Sequence, residues 1–262
     1  MSYSNLVEYV KLSPNCSKPR GKNIDAIVIH HMAGNLTVEK CGAVFAPTSR
    51  QASSNYGVGT DGRVACYVEE ENRAWTTSST AIDNRAITIE VANCGGDPDW
   101  KVSDQALEAT IALCVDICKR YGFKLNYTGD KSGNLHMHKW YKATACPGPY
   151  LGSKFPYIAE EVNRRLGGEP PAEKTEEKKT EVKKSEEVCA VNVNVLRNGS
   201  KGASVKALQI LLIGNGFSCG NCGADGDFGS ATDGAVRKFQ KAKGIGVDGI
   251  VGPATWGKLL GV

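Results

Sequence analysis

With 262 residues, 41% of them hydrophobic and 23% charged, the chain is long enough for one full core and a smaller second domain. A formal net charge of +4 is too weak at this length to argue for nucleic acid as a partner, and no stretch approaches the roughly 20 apolar residues that a membrane-spanning helix needs. Ten cysteines, scattered over two domains and several at core-like positions, read as mostly reduced thiols and not as a disulfide framework.

The opening "MSYSNLVEYVKLSPN" has no basic start followed by an uninterrupted apolar run, so it reads neither as a signal peptide nor as a membrane anchor, and synthesis in a cytoplasm is expected. "NIDAIVIHH" at 23–31 is a β-branched apolar run and predicts a buried central strand with His30 and His31 at its carboxyl end. "NYGVGTDGRVACYV" at 55–68 predicts two strands around a "TDGR" hairpin. "RAITIEVAN" at 85–93 predicts another central strand, whose alternation sends Ile87, Ile89 and Val91 to one face and Thr88, Glu90 and Ala92 to the other. A glutamate there is costly unless it faces a polar cleft.

In "SDQALEATIALCVDICKRYG", Leu107, Ile111, Cys114, Cys118 and Tyr121 share one helical stripe, between Ser103 as N-cap and Gly122 as C-cap. Cys114 and Cys118, four residues apart, are placed to chelate a metal, but their apolar flanks favour plain packing. A further helix is expected near 154–166. The whole of 1–166 therefore reads as an α/β domain, a mixed central sheet flanked by helices.

Residues 167–190 turn from Gly and Pro to almost unbroken Glu, Lys and Thr, which cannot bury enough apolar surface to order, so a solvated tether is expected. Beyond it, 191–262 carries an internal repeat: "VKALQ" at 205–209 returns as "VRKFQ" at 236–240, and "DGDFGSAT" at 225–232 as "DGIVGPAT" at 248–255. Val205, Leu208, Leu211 and Leu212, then Val236 and Phe239, then Trp256, Leu259 and Leu260 give apolar faces to three short helices. "CGNC" at 219–222 has no second pair at zinc-finger spacing and reads as a turn feature or a local disulfide. This unit resembles the peptidoglycan-binding domains attached to cell-wall hydrolases.

The stretch "HMHKWYKATACPGP" at 136–149 raises the chemical question. Cys146 with nearby histidines fits a thiol nucleophile. It also fits an open zinc site, in which His30, either His136 or His138, and Cys146 supply three ligands and leave one position for water. The thiol reading leaves His30 and Glu90 without a task; the metal reading uses both.

With "IVIHH", "SSNYGVGTDGRV", "NRAW", "ITIEVAN" and "HKWYKATACPGP" in this order, residues 20–165 resemble the type 2 zinc N-acetylmuramoyl-L-alanine amidases, the fold shared with peptidoglycan-recognition proteins. The resemblance implies one zinc ion on His30, His138 and Cys146, with His136 as the rival ligand and His31 as a packed neighbour. It implies Glu90 as the general base, Thr144 as a hydrogen-bond donor to the developing oxyanion, and Trp75 as a wall of the substrate groove. Two positions depart from the pattern: Ser54 stands where many members carry a tyrosine, and Thr76 where many carry a histidine. The implied substrate and partner is bacterial peptidoglycan, with no nucleic acid and no membrane insertion. An endolysin released at phage lysis is the expectation; an exported autolysin, a muropeptide-recycling amidase and a non-catalytic recognition protein on the same fold are the alternatives.

Overall fold

The computed structural model describes residues 2–167 and 195–261. The tether expected at 167–190 therefore lies, apart from Gly167, outside the described residues. The chain forms two compact units, Met1–Pro170 and Pro171–Val262.

In chain order the first unit contains β1 (Val7–Val10), β2 (Cys16–Ser17), β3 (Ala26–His31), α1 (Val38–Phe45), a 3-10 turn at Thr48–Arg50, β4 (Tyr56–Val58), β5 (Val64–Cys66), β6 (Arg73–Ala74), α2 (Thr80–Asp83), β7 (Ala86–Val91), α3 (Asp104–Tyr121), β8 (Leu135–Met137), a 3-10 turn at His138–Trp140, α4 (Pro149–Ser153) and α5 (Phe155–Leu166). Six strands form a mixed sheet in the order β1-β5-β4-β7-β3-β8, and β2 and β6 pair separately as an antiparallel ribbon. Strands β4, β7, β3 and β8 run parallel; β5 turns antiparallel to β4 and carries β1 beside it.

Strand alternation decides what each face of this sheet does. Ile27, Ile29, Ile87, Ile89 and Val91 pack into one large core with Ile111 and Cys114 of α3 and Phe155 and Ile158 of α5. On the other face, Ala26, Val28 and Ala86 meet Ile82 of α2 in a small cluster, and α1 seats Val38, Cys41 and Phe45 on Ala65 and Tyr67. The polar members of the two central strands belong to this second face. His30 and Glu90 are register partners there, on adjacent parallel strands.

Helix α3 has the caps its sequence predicts. The Ser103 hydroxyl accepts from the Ala106 amide at 3.1 Å, and Gly122 closes the other end in the left-handed region at φ 72°. Cys114 and Cys118 are buried free thiols of the core. Tyr121 departs from the expected stripe: it is 36% exposed, and its hydroxyl donates to Glu70 at 2.7 Å. Glu70 is fully buried and also receives the Tyr56 hydroxyl and the Arg120 guanidinium, so a polar anchor joins the core contact of Cys118 in holding the last turn of the helix.

The second unit contains α6 (Ala203–Gly214), α7 (Ser230–Ala242) and α8 (Pro253–Leu260). Its core gathers Val205, Leu208, Leu212, Val236, Phe239, Trp256 and Leu259. Leu260 does not join it and is 44% exposed, one residue before the left-handed cap Gly261. Cys219 is a buried free thiol packed into this core, so the "CGNC" pair does not close a disulfide on itself.

The repeated glutamines latch the repeated loops. Gln209 donates to Asp225 Oδ1 at 2.8 Å, the Asp227 carbonyl at 3.0 Å and Thr232 Oγ1 at 3.0 Å, and accepts from the Gly226 amide at 2.7 Å. Gln240 repeats this on Asp248, Ile250 and Thr255, and accepts from Gly249. Gly226 and Gly249 take φ of 76° and 73°, the region glycine enters at little cost.

Candidate metal and active site

Because α1 and α2 cover only the flanks of the second sheet face, its middle stays open as a cleft of about 640 Å³. His30 and Glu90 line it from the sheet, His138 and Cys146 from the segment after β8, and Trp75 from the end of β6.

His30, His138 and Cys146 converge: their ligand atoms all lie within 4.8 Å of one another. His30 Nδ1 stands 3.5 Å from Cys146 Sγ. A tetrahedral zinc with Zn–N near 2.0–2.1 Å and Zn–S near 2.3 Å implies an N···S edge of about 3.5 Å, so the spacing fits that ion. Burial first, then the nearby His138 and His31, hold the His30 pKa well below its ordinary value, which keeps the ring neutral as a ligand must be. Both His30 Nε2 and His138 Nε2 are buried without a hydrogen-bond partner.

The thiol reading meets an electrostatic objection. Burial, with the Glu90 charge adding to it, pushes the Cys146 thiol well above its ordinary range, whereas a nucleophile needs the reverse. His136 is a buried residue of β8 whose Nδ1 meets the Tyr141 hydroxyl at 3.1 Å, and it does not line the cleft. His31 packs edge-on against Trp100.

Glu90 is pushed up to about 8 by desolvation, opposed by the Arg50 charge. Its carboxylate has no hydrogen-bond partner among the described residues and faces the cleft. Thr144 sits exposed on the rim, where its Oγ1 accepts from the Cys146 amide at 3.2 Å. Trp75 is half-buried, joins none of the apolar cores, and anchors its indole N–H on Ser17 Oγ at 3.0 Å. Both departing positions are held by hydrogen bonds, and Thr76 also lines the cleft. Ser54 is fully buried and donates to the Thr88 carbonyl, and Thr76 donates to the Ser53 carbonyl.

Four further charged residues line the cleft that sequence reasoning did not single out: Arg50, Arg73, Asp83 and Lys142. Asp83 is buried and accepts from the Thr76 and Thr77 amides, so it holds the wall that carries Trp75. All four belong to loops or short elements with no period to read, and only the "NRAW" motif touched one of them.

Residues 20–149 match the family described as N-acetylmuramoyl-L-alanine amidase, and residues 201–259 the one described as putative peptidoglycan binding domain. Over 198 residues the chain is 30% identical to N-acetylmuramoyl-L-alanine amidase CwlL of Bacillus licheniformis, covering 74% of this chain and 50% of that one. Over 71 residues it is 42% identical to a zinc D-Ala-D-Ala carboxypeptidase of Streptomyces albus G, covering 27% and 28%. Among solved structures, the amidase LysCS of Clostridium intestinale URNW aligns at 22% identity with a TM-score of 0.43, over 62% of this chain and 93% of that one. The chain spans about half the length of the curated amidases it matches.

Proposed function

We propose, for a chain that joins an N-acetylmuramoyl-L-alanine amidase-family domain to a peptidoglycan-binding-family domain, that it hydrolyses the amide between the lactyl group of N-acetylmuramic acid and L-alanine in bacterial peptidoglycan. The observation that carries this reading is the convergence of His30, His138 and Cys146 beside Glu90 in one open cleft. The three side chains would hold one zinc ion. That ion, when bound, supplies Lewis acidity for the scissile carbonyl and for the attacking water.

The chain's own residues account for the rest. Glu90 accepts the proton of the attacking water and can return it to the departing amine of L-alanine. Its register opposite His30 supports that role. Thr144 offers a hydroxyl on the rim for the carbonyl oxygen as charge develops there. Trp75 gives the sugar or peptide an apolar wall beside the reacting bond. The second unit binds the wall and raises the local concentration of the first on an insoluble polymer. A recognition protein would bind without cleaving; a ligand set with Glu90 beside it favours catalysis.

Purified cell walls incubated with the zinc-loaded chain should release new L-alanine amino termini and no reducing sugar ends. Reducing ends, or binding without any cleavage, would overturn the assignment.

A further inference from the structure

The charge around the cleft is lopsided. Arg50, Arg73 and Lys142 line it as cations, against Glu90 and Asp83 as the carboxylates. Asp83 is turned inward, onto the amides of Thr76 and Thr77. Glu90 has its task at the reacting bond. Arg73 donates to Ser17 Oγ at 2.6 Å.

Arg50 differs from every other arginine of the first unit. Arg20 is spent on the backbone carbonyls of Asn72, Asn84 and Ala86, Arg63 on Glu39, Arg85 on Asp25, Arg120 on Glu70, and Arg164 and Arg165 on Glu161. The Arg50 guanidinium has no hydrogen bond or ion pair among the described residues, yet it lines the cleft.

Its backbone, by contrast, is fixed. The Arg50 amide donates to the Pro47 carbonyl at 3.1 Å, and Gln51 follows it in the left-handed region at φ 51° while its side chain closes back on the Thr48 carbonyl at 2.8 Å. The buried Asn15 pins the same turn through the carbonyls of Phe45 and Pro47. The Arg50 charge is felt at Glu90, so the turn holds an unpaired cation within electrostatic reach of the reacting centre.

We infer that Arg50 is a carboxylate-binding residue of this cleft, and that the cleft prefers muramoyl peptides with a free carboxylate near the scissile amide over their amidated counterparts. The guanidinium fork matches a carboxylate in two parallel hydrogen bonds, and its preset backbone lowers the ordering cost. Lys142, exposed and lining the same cleft from the segment that carries His138, adds a point charge of the same sign. This inference rests on the amidase reading above.

Two muramoyl dipeptides test it, identical except that the residue after L-alanine carries a free carboxylate in one and a primary amide in the other. For the full zinc-loaded chain the acid should be favoured by about 10- to 100-fold in kcat/KM, mostly through KM. Arg50→Ala should bring the ratio near one, Arg50→Lys should restore part of it, and Arg50→Glu should invert it. A wild-type ratio near one, or a preference that survives Arg50→Ala, would overturn the inference. So would an equal loss on both substrates confined to kcat, which would make Arg50 a tuner of Glu90. Failure of the wild type to cleave either dipeptide contradicts the amidase reading itself. Calorimetric titration of both into the Glu90→Gln chain then reads the acid-to-amide ratio without turnover, and equal affinities there would sink the carboxylate site independently.

Discussion

Two regions of this protein bury polar side chains, and they treat them in opposite ways. In the second unit, Gln209 and Gln240 are buried, and each spends its amide on both sides of a loop, with donors and acceptors matched. In the cleft of the first unit, His30 Nε2 and His138 Nε2 are buried with no partner, and Glu90 faces the same space. Burying a polar atom unpaired costs about 1–3 kcal/mol, so a fold that tolerates several side by side has a use for them. Matched burial makes a structural latch in the second unit; in the first, His30 and His138 converge on Cys146 beside Glu90, and that convergence, which the equally unpaired His136 outside the cleft lacks, marks the site.

This contrast sets the order of the expected effects. Glu90→Gln removes the proton acceptor while keeping the shape of the strand, and should lower turnover about 10²- to 10⁴-fold with little change in unfolding midpoint. Gln240→Ala should do the reverse. It strands the buried Gly249 amide and Thr255 hydroxyl and should destabilise the second unit by about 2–3 kcal/mol in denaturant titration, while cleavage of a small soluble muramoyl peptide is retained. If the glutamine variant also lost that activity, the division between latch and site would fail.

Smaller effects sharpen the same comparison. Ser103→Ala deletes the N-cap of α3 and should cost about 1 kcal/mol, read as a shift in urea midpoint at constant slope. On α5, which packs against α3, Arg164 and then Arg165 hold the Glu161 carboxyl down to about 2, against an ordinary value of 4.5. Because the folded pKa is the lower one, the unfolded chain binds the proton more readily. The stabilisation is complete above about pH 4.5, shrinks as the pH falls below that, and is gone below about 2. Between pH 5 and 3 the midpoint of Glu161→Gln should therefore vary less with pH than that of the parent.

How much of this was legible depended on whether a residue broke a pattern. His30 and Glu90 stand out because each interrupts a β-branched run, and strand alternation alone sends Glu90 away from the isoleucine face. The long helix α3 announced both of its ends through Ser103 and Gly122. The edge strands β1, β2 and β6 and the short helices α1 and α2 did not: runs of two to eight residues hold too few periods to show against loop sequence. Arg50, Lys142 and Asp83 escaped for a related reason. They sit in turns or very short elements whose place beside the cleft is decided by tertiary contacts, such as the grip of Asn15 on the turn before Arg50. Residue type alone did not separate Arg50 from the paired arginines around it.

The most direct test of the account is zinc content measured on the purified chain and on two single variants, Cys146→Ala and Glu90→Gln, alongside amine release from cell walls. One zinc per wild-type chain, metal and activity lost together in Cys146→Ala, and metal kept but activity lost in Glu90→Gln would establish a ligand set and a separate base. Full activity in metal-free chain, or in either variant, would contradict it.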